Sequence, residues 1–134
     1  MRAIVRYHPD THLLFAEPAK PFRSLLDHLI GDFRSYKEND ELPDYFGRDA
    51  PYIQPAAAYK ARLMHMHINP AGFPRRLPQM DRTSDIALVY VQGEIEENHF
   101  CLLALFNPDA HAKARDEKLM QWLSRLAQKF RDQY

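Results

Sequence analysis

Cysteine is almost absent from this chain. The one present, Cys101, cannot form a disulfide within the chain, which fits a reducing compartment. It lies inside the apolar run FCLLALF, where a lone thiol reads as a small core residue rather than a nucleophile. Long hydrophobic stretches are missing too. That run, residues 100–106, is the longest and falls far short of the roughly 20 residues a membrane-spanning helix needs. The first residues, MRAIVRYHPD, lack the apolar stretch and small-residue cleavage site of a signal peptide. A cytoplasmic location with no membrane partner is therefore expected. With four glycines there is no glycine-rich phosphate loop, and no GxSxG, HExxH or CxxC motif occurs. Net charge is absent as well: 18 Lys and Arg balance 18 Asp and Glu, which argues against a uniformly basic nucleic-acid binder.

What remains is a globular composition. The 134 residues suit one domain, 1–134, and 46% of them are hydrophobic, enough for a core. The charge is unevenly distributed. Residues 37–49 carry five anions against two cations. Residues 60–82 carry five cations against Asp81 alone, and residues 113–132 carry six cations against three anions. Charge runs are usually solvated faces, but two basic segments that met in space would attract phosphate.

Hydrophobic periodicity predicts the elements. AIVRYH (3–8) reads as a strand ended by Pro9, which cannot donate to a ladder. Residues 20–37 form the clearest helix, with Phe22, Leu25, Leu26, Leu29, Ile30, Phe33 and Tyr36 on one face and Pro21 suited to the first helical position. The stretch 41–52, punctuated by Pro43, Gly47 and Pro51, reads as a loop or short helix. Residues 62–68 alternate: Met64, Met66 and Ile68 on one face; Leu63, His65 and His67 on the other. A long connection follows over 69–85, and loops of this length are often functional. IALVYVQ (86–92) and HFCLLALF (99–106) read as an antiparallel hairpin, a short helical turn covers 108–113, and a last helix spans 117–131. The sum is an α+β domain: a small, mostly antiparallel sheet with packed helices.

Chemistry concentrates in three places. His65 and His67 share one strand face, but a catalytic zinc site needs about three protein ligands, and no other histidine stands at ligand spacing. No metal and no cofactor are expected; a polar strand face or an acid-base role is left. Arg75, Arg76 and Arg82 share one loop, and guanidinium forks suit phosphate. His111 and Arg115 fall at i, i+4, with Asp116 beside them. Most aromatics lie in apolar stripes, whereas Tyr90 alternates with Val89 and Val91 and its face is open.

LPDYFGRDAPY (42–52), HMHIN (65–69), FPRRLPQMDRTSD (73–85), LVYVQG (88–93) and HAKARD (111–116), in this order, resemble the YafO family of type II toxins, over about residues 33–132. The resemblance implies a RelE/ParE-like fold and a ribosome-dependent endoribonuclease that cleaves translated mRNA. Its implied partners are the ribosome, mRNA and a cognate antitoxin protein. The alternative is a non-catalytic inhibitor that acts on the ribosome or another partner by binding alone. Metal-free attack of a ribose 2′-OH on the adjacent phosphate needs a base, an acid and cations. At the motif positions, His65, His67 and His111 are candidates for proton transfer, and Arg82 and Arg115 for phosphate stabilisation. Arg48, Arg75, Arg76 and Tyr90 are candidates for substrate binding, and Asp85 and Asp116 for orienting a histidine or arginine.

Overall fold

A computed structural model describes residues 1–134, the side chain of residue 23 excepted. Five strands make one sheet: β1 (Ile4–Tyr7), β2 (Phe46–Pro51), β3 (Met64–Ile68), β4 (Ala87–Gln92) and β5 (His99–Phe106). Their order is β1-β5-β4-β3-β2. β1 runs parallel to β5, and every other neighbouring pair is antiparallel. The helices are α1 (Leu13–Ala16), α2 (Arg23–Asn39), α3 (Ala56–Lys60), α4 (Ala110–Ala114) and α5 (Glu117–Gln133). The architecture is the α+β one expected, with the two long helices on opposite faces of the sheet. No helix is long and apolar enough to cross a membrane.

Two apolar layers explain this arrangement. Leu25, Leu29 and Phe33 of α2 pack with Met66, Ile68, Leu88, Tyr90, Phe100 and Leu102. On the other face, Met120, Leu123, Leu126, Ala127 and Phe130 of α5 pack with Leu63, Val89, Val91, Cys101 and Leu103. β4 and β5 are covered on both sides, which is why their sequences read as continuous apolar runs. Cys101 is buried in this second layer, and burial pushes its thiol up to about 12, so it is the inert core residue expected.

The structure corrects three details of the expectation. Pro21 lies in a 3-10 turn, Lys20–Phe22, and α2 begins after it. Residues 56–60, with no apolar stripe to advertise them, form α3. Most consequentially, residues 46–51 are a strand, not a loop. FGRDAP has weak intrinsic strand preference, so pairing with β3 makes it an edge strand, with its register shifted between Phe46 and Asp49. The shift is a bulge, a device that re-aims side chains beside sites. Gly47 lies within it. A methyl group there would stand 2.5 Å from the Arg82 carbonyl oxygen, so only glycine lets the 69–85 connection lie this close.

A buried polar network holds the bulge from behind. Tyr36 Oη and Lys37 Nζ reach Asp49 Oδ2 at 2.8 and 3.2 Å, and Tyr90 Oη donates to Asp49 Oδ1 at 2.6 Å. Lys37 Nζ also donates to Tyr90 Oη at 2.9 Å. Gln79 Nε2 bridges Tyr36 Oη and the Gly47 carbonyl. An ion pair removed from water this far needs such bonds to offset its desolvation. Tyr90 is therefore no substrate ligand: it is 1% exposed, on the sheet face opposite the histidines.

Candidate active site

The 69–85 connection is a built structure rather than a slack loop. Asn69 turns its start, accepting from Ala71 N and donating to the Gly72 carbonyl. Arg82 holds its middle. Its guanidinium is buried and donates to the carbonyls of Leu77, Phe46 and Arg75 at 2.9, 3.2 and 3.2 Å. Its own carbonyl accepts from Arg48 N at 2.9 Å. Arg82 thus clamps the loop to β2, and the role of direct phosphate contact expected of it is corrected: the residue is 5% exposed and gives three of its five N–H groups to backbone oxygens. Ser84 closes the loop, its Oγ donating to the Ile68 carbonyl at 2.6 Å.

This closure places the Ser84 backbone against His67. Nδ1 of His67 lies 2.8 Å from both the Ser84 carbonyl oxygen and the Ser84 nitrogen. The neutral ring can accept from that N–H, and the imidazolium can donate to that oxygen. Either way Nδ1 is engaged, in a residue that is only 9% exposed. Burial depresses the pKa of His67; the Ser84 bond opposes this, and His111 and Arg48 lower it further.

His111 arrives from the far end of the chain. Asp109 adopts a left-handed conformation, φ 58°, which turns the chain into α4 directly beside Asp85. Ala110 N donates to the Asp85 carbonyl, and His111 N donates to Asp85 Oδ1 at 3.1 Å. The same oxygen accepts from His111 Nδ1 at 2.6 Å. These two bonds from His111 hold the Asp85 carboxyl below its usual range. Asp85 Oδ1 thus meets both the backbone and the ring of His111. The His67 and His111 ring centroids stand 6.4 Å apart, with the exposed guanidinium of Arg48 close enough to lower the pKa of His67. Arg115 ends α4, exposed, one turn beyond His111.

His65 is built differently. Its ring stacks on Tyr52 at 4.2 Å and 17°, and its Nδ1 is buried without a partner. Burial, reinforced by His67, lowers its pKa to about 4. It is neutral at physiological pH and cannot supply a proton there. One consequence is measurable. Unfolding restores His65 to its ordinary 6.5, so between pH 6.5 and 4 the unfolded chain binds more protons and stability falls with falling pH. A His65→Phe variant is expected to flatten this part of a denaturation-midpoint profile; an unchanged slope would place the proton uptake elsewhere.

Chain comparison places the sequence in a family. Residues 34–132 match the family model described as Toxin YafO, type II toxin-antitoxin system. The chain belongs to the YafO toxin family. One curated relative, the mRNA interferase toxin YafO of Escherichia coli (strain K12), is 42% identical over 115 residues, covering 79% of this chain and 85% of the relative. No solved structure matches the chain significantly.

Within this YafO-family chain, the sequence-nominated residues divide. His67, His111, Asp85 and Arg48 converge, and Arg115 lies one turn away. Arg75 pairs with Asp44 at 3.4 Å and Arg76 stands in solvent; neither bonds to the histidine group. Asp116 orients no histidine or arginine: it caps α5, accepting from Leu119 N at 3.1 Å. Ser84 and Tyr52 were not singled out from the sequence. Ser84 acts through its backbone, which has no residue-type signature; its place between Arg82 and Asp85 in the RTSD stretch was the one available signal. Among the described residues, no group of three or more His, Cys, Asp or Glu side chains is placed to hold a metal ion.

Proposed function

We propose that this toxin is a metal-independent endoribonuclease that cleaves mRNA on the translating ribosome and so arrests protein synthesis in the cytoplasm. One observation carries the reading: two imidazoles 6.4 Å apart, each held through Nδ1. A gap of that width suits a ribose and its 3′-phosphate between a base and an acid.

His67, whose depressed pKa keeps it unprotonated at neutral pH, removes the 2′-OH proton. The 2′-oxygen then forms a bond to phosphorus, and the bond from phosphorus to the 5′-oxygen breaks. His111 donates a proton from Nε2 to that leaving oxygen while Asp85 holds Nδ1. The products are a 2′,3′-cyclic phosphate and a 5′-hydroxyl. Arg48 and Arg115 offset the charge that builds on the phosphorane oxygens. The neutral net charge fits an enzyme to which the ribosome presents its substrate.

The test is direct. The chain is expressed with and without its cognate antitoxin gene, and 5′ ends are mapped on cellular mRNA. New 5′-hydroxyl ends inside translated regions, suppressed by the antitoxin, are the expected result. Growth arrest with intact mRNA would overturn the nuclease in favour of inhibition by binding alone. A second variant probes the dyad: Asp85→Asn keeps the shape but loses the carboxylate, and is expected to slow cleavage by about 10- to 100-fold, less than loss of the acid itself.

A further inference from the structure

The two basic segments seen in the sequence meet in the fold. α3 lies alongside α5, and Ala57, Lys60, Ser124, Arg125 and Gln128 line one depression between them. A second depression, lined by Gln54, Pro55, Ala114, Arg115 and Glu117, opens at the α4–α5 corner. Both depressions lie along the seam between residues 54–60 and 114–128, the groove of this surface, and Arg115 within it is four residues on from His111. Along α5, Lys118, Arg125 and Lys129 recur at i, i+7, i+11, which puts them in one stripe. All three are exposed. The stripe spans about 16 Å at 1.5 Å per residue. Among the described residues, none of Lys60, Arg115, Lys118, Arg125 and Lys129 takes part in an ion pair. The nearest anions on α5, Glu117 and Asp132, stand at the two ends of the stripe.

We propose that this groove is a track for the phosphate backbone of the single-stranded RNA flanking the cleaved bond. The proposal rests on the endoribonuclease reading and extends it from one phosphate to several. A line of unpaired cations is what a polyanion selects, since each neutralised phosphate releases counterions. The path gives a chain with no net charge a local cationic face for RNA, while residues 37–49 carry five of its 18 anions elsewhere.

The test uses His111→Ala as the parent, so that bound RNA is not cut, and a labelled single-stranded RNA followed by fluorescence anisotropy at several salt concentrations. Adding Lys60→Glu and Arg125→Glu is expected to weaken binding at least about tenfold and to reduce the salt slope by about 1.4, two contacts at about 0.7 each. The Lys60→Gln, Arg125→Gln pair should move both in the same direction by less. Unchanged affinity and slope in both double variants would overturn the track, as would a parent that fails to bind RNA at low salt. Normal RNA binding combined with lost neutralisation by the antitoxin would also overturn it and give the groove to a protein. Failure of the nuclease reading looks different: the unmutated chain would leave translated mRNA uncut whatever the double variants do to binding.

Discussion

His111→Ala is expected to slow mRNA cleavage by about 10²–10⁴-fold, the usual contribution of a positioned proton donor, and to abolish growth arrest at equal expression. The expectation follows from position. His111 reaches the site on a short helix turned inward by Asp109, and its backbone and ring both bond Asp85. Its side chain is largely exposed, so alanine removes the proton donor without opening the core. His67→Ala should cost a similar factor, and the pH dependence should separate the two. The acid limb of the cleavage profile belongs to the base. Burial lowers the pKa of His67 below 6.5, so the rate should rise with pH and level off below that value. His65→Ala should cost far less, because His65 is neutral, stacked on Tyr52 and not placed to exchange a proton. Measured in a translation-coupled cleavage assay, an equal loss from His65 and His67 would break this assignment.

The second large effect is on stability. Arg82→Ala should destabilise the fold by about 3–4 kcal/mol, since bonds from a charged donor contribute about 1.5–3 kcal/mol each and are not additive. Three carbonyls would lose their partner at once, in a region 5% exposed at the arginine itself. For a chain of this size the melting temperature should drop by about 10–15 °C. Arg82→Lys should recover little, because one ammonium cannot span three carbonyls set around a planar fork. A melting temperature within a degree or two of the parent's would show that the clamp is dispensable. Activity should fall with stability, as the clamp brings Ser84 and Asp85 to the histidines.

Much of this molecule was legible before any coordinates. α2, α5, β4 and β5 carry apolar patterns long enough to name themselves, and the β3 alternation assigned its two faces correctly. β2 was not legible, because FGRDAP is an edge strand made by its neighbour and by the network around Asp49 rather than by its own preferences. Nor was the parallel pairing of β1 with β5, since nothing local in IVRY names a partner 95 residues away. At the site, residue type nominated the histidines and arginines but could not rank them. His65 and His67 are two residues apart on one face; only the positions of Tyr52 and Ser84 separate a ring stacked on an aromatic, its Nδ1 unpartnered, from one bonded through Nδ1 to the backbone. Arg75 and Arg82 look alike in the sequence, and burial alone makes one a surface charge and the other a clamp.

The parallel pairing of β1 with β5 also sets a clock on the toxin's own synthesis. Ile4 waits for His99, and the layer over β4 and β5 waits for α5. The histidine pair joins residue 67 to residue 111. Nascent chains ending before β5 therefore lack the strand that ties β1 to the sheet, chains ending before residue 111 lack one histidine of the pair, and chains ending before α5 leave one apolar face of β4 and β5 uncovered.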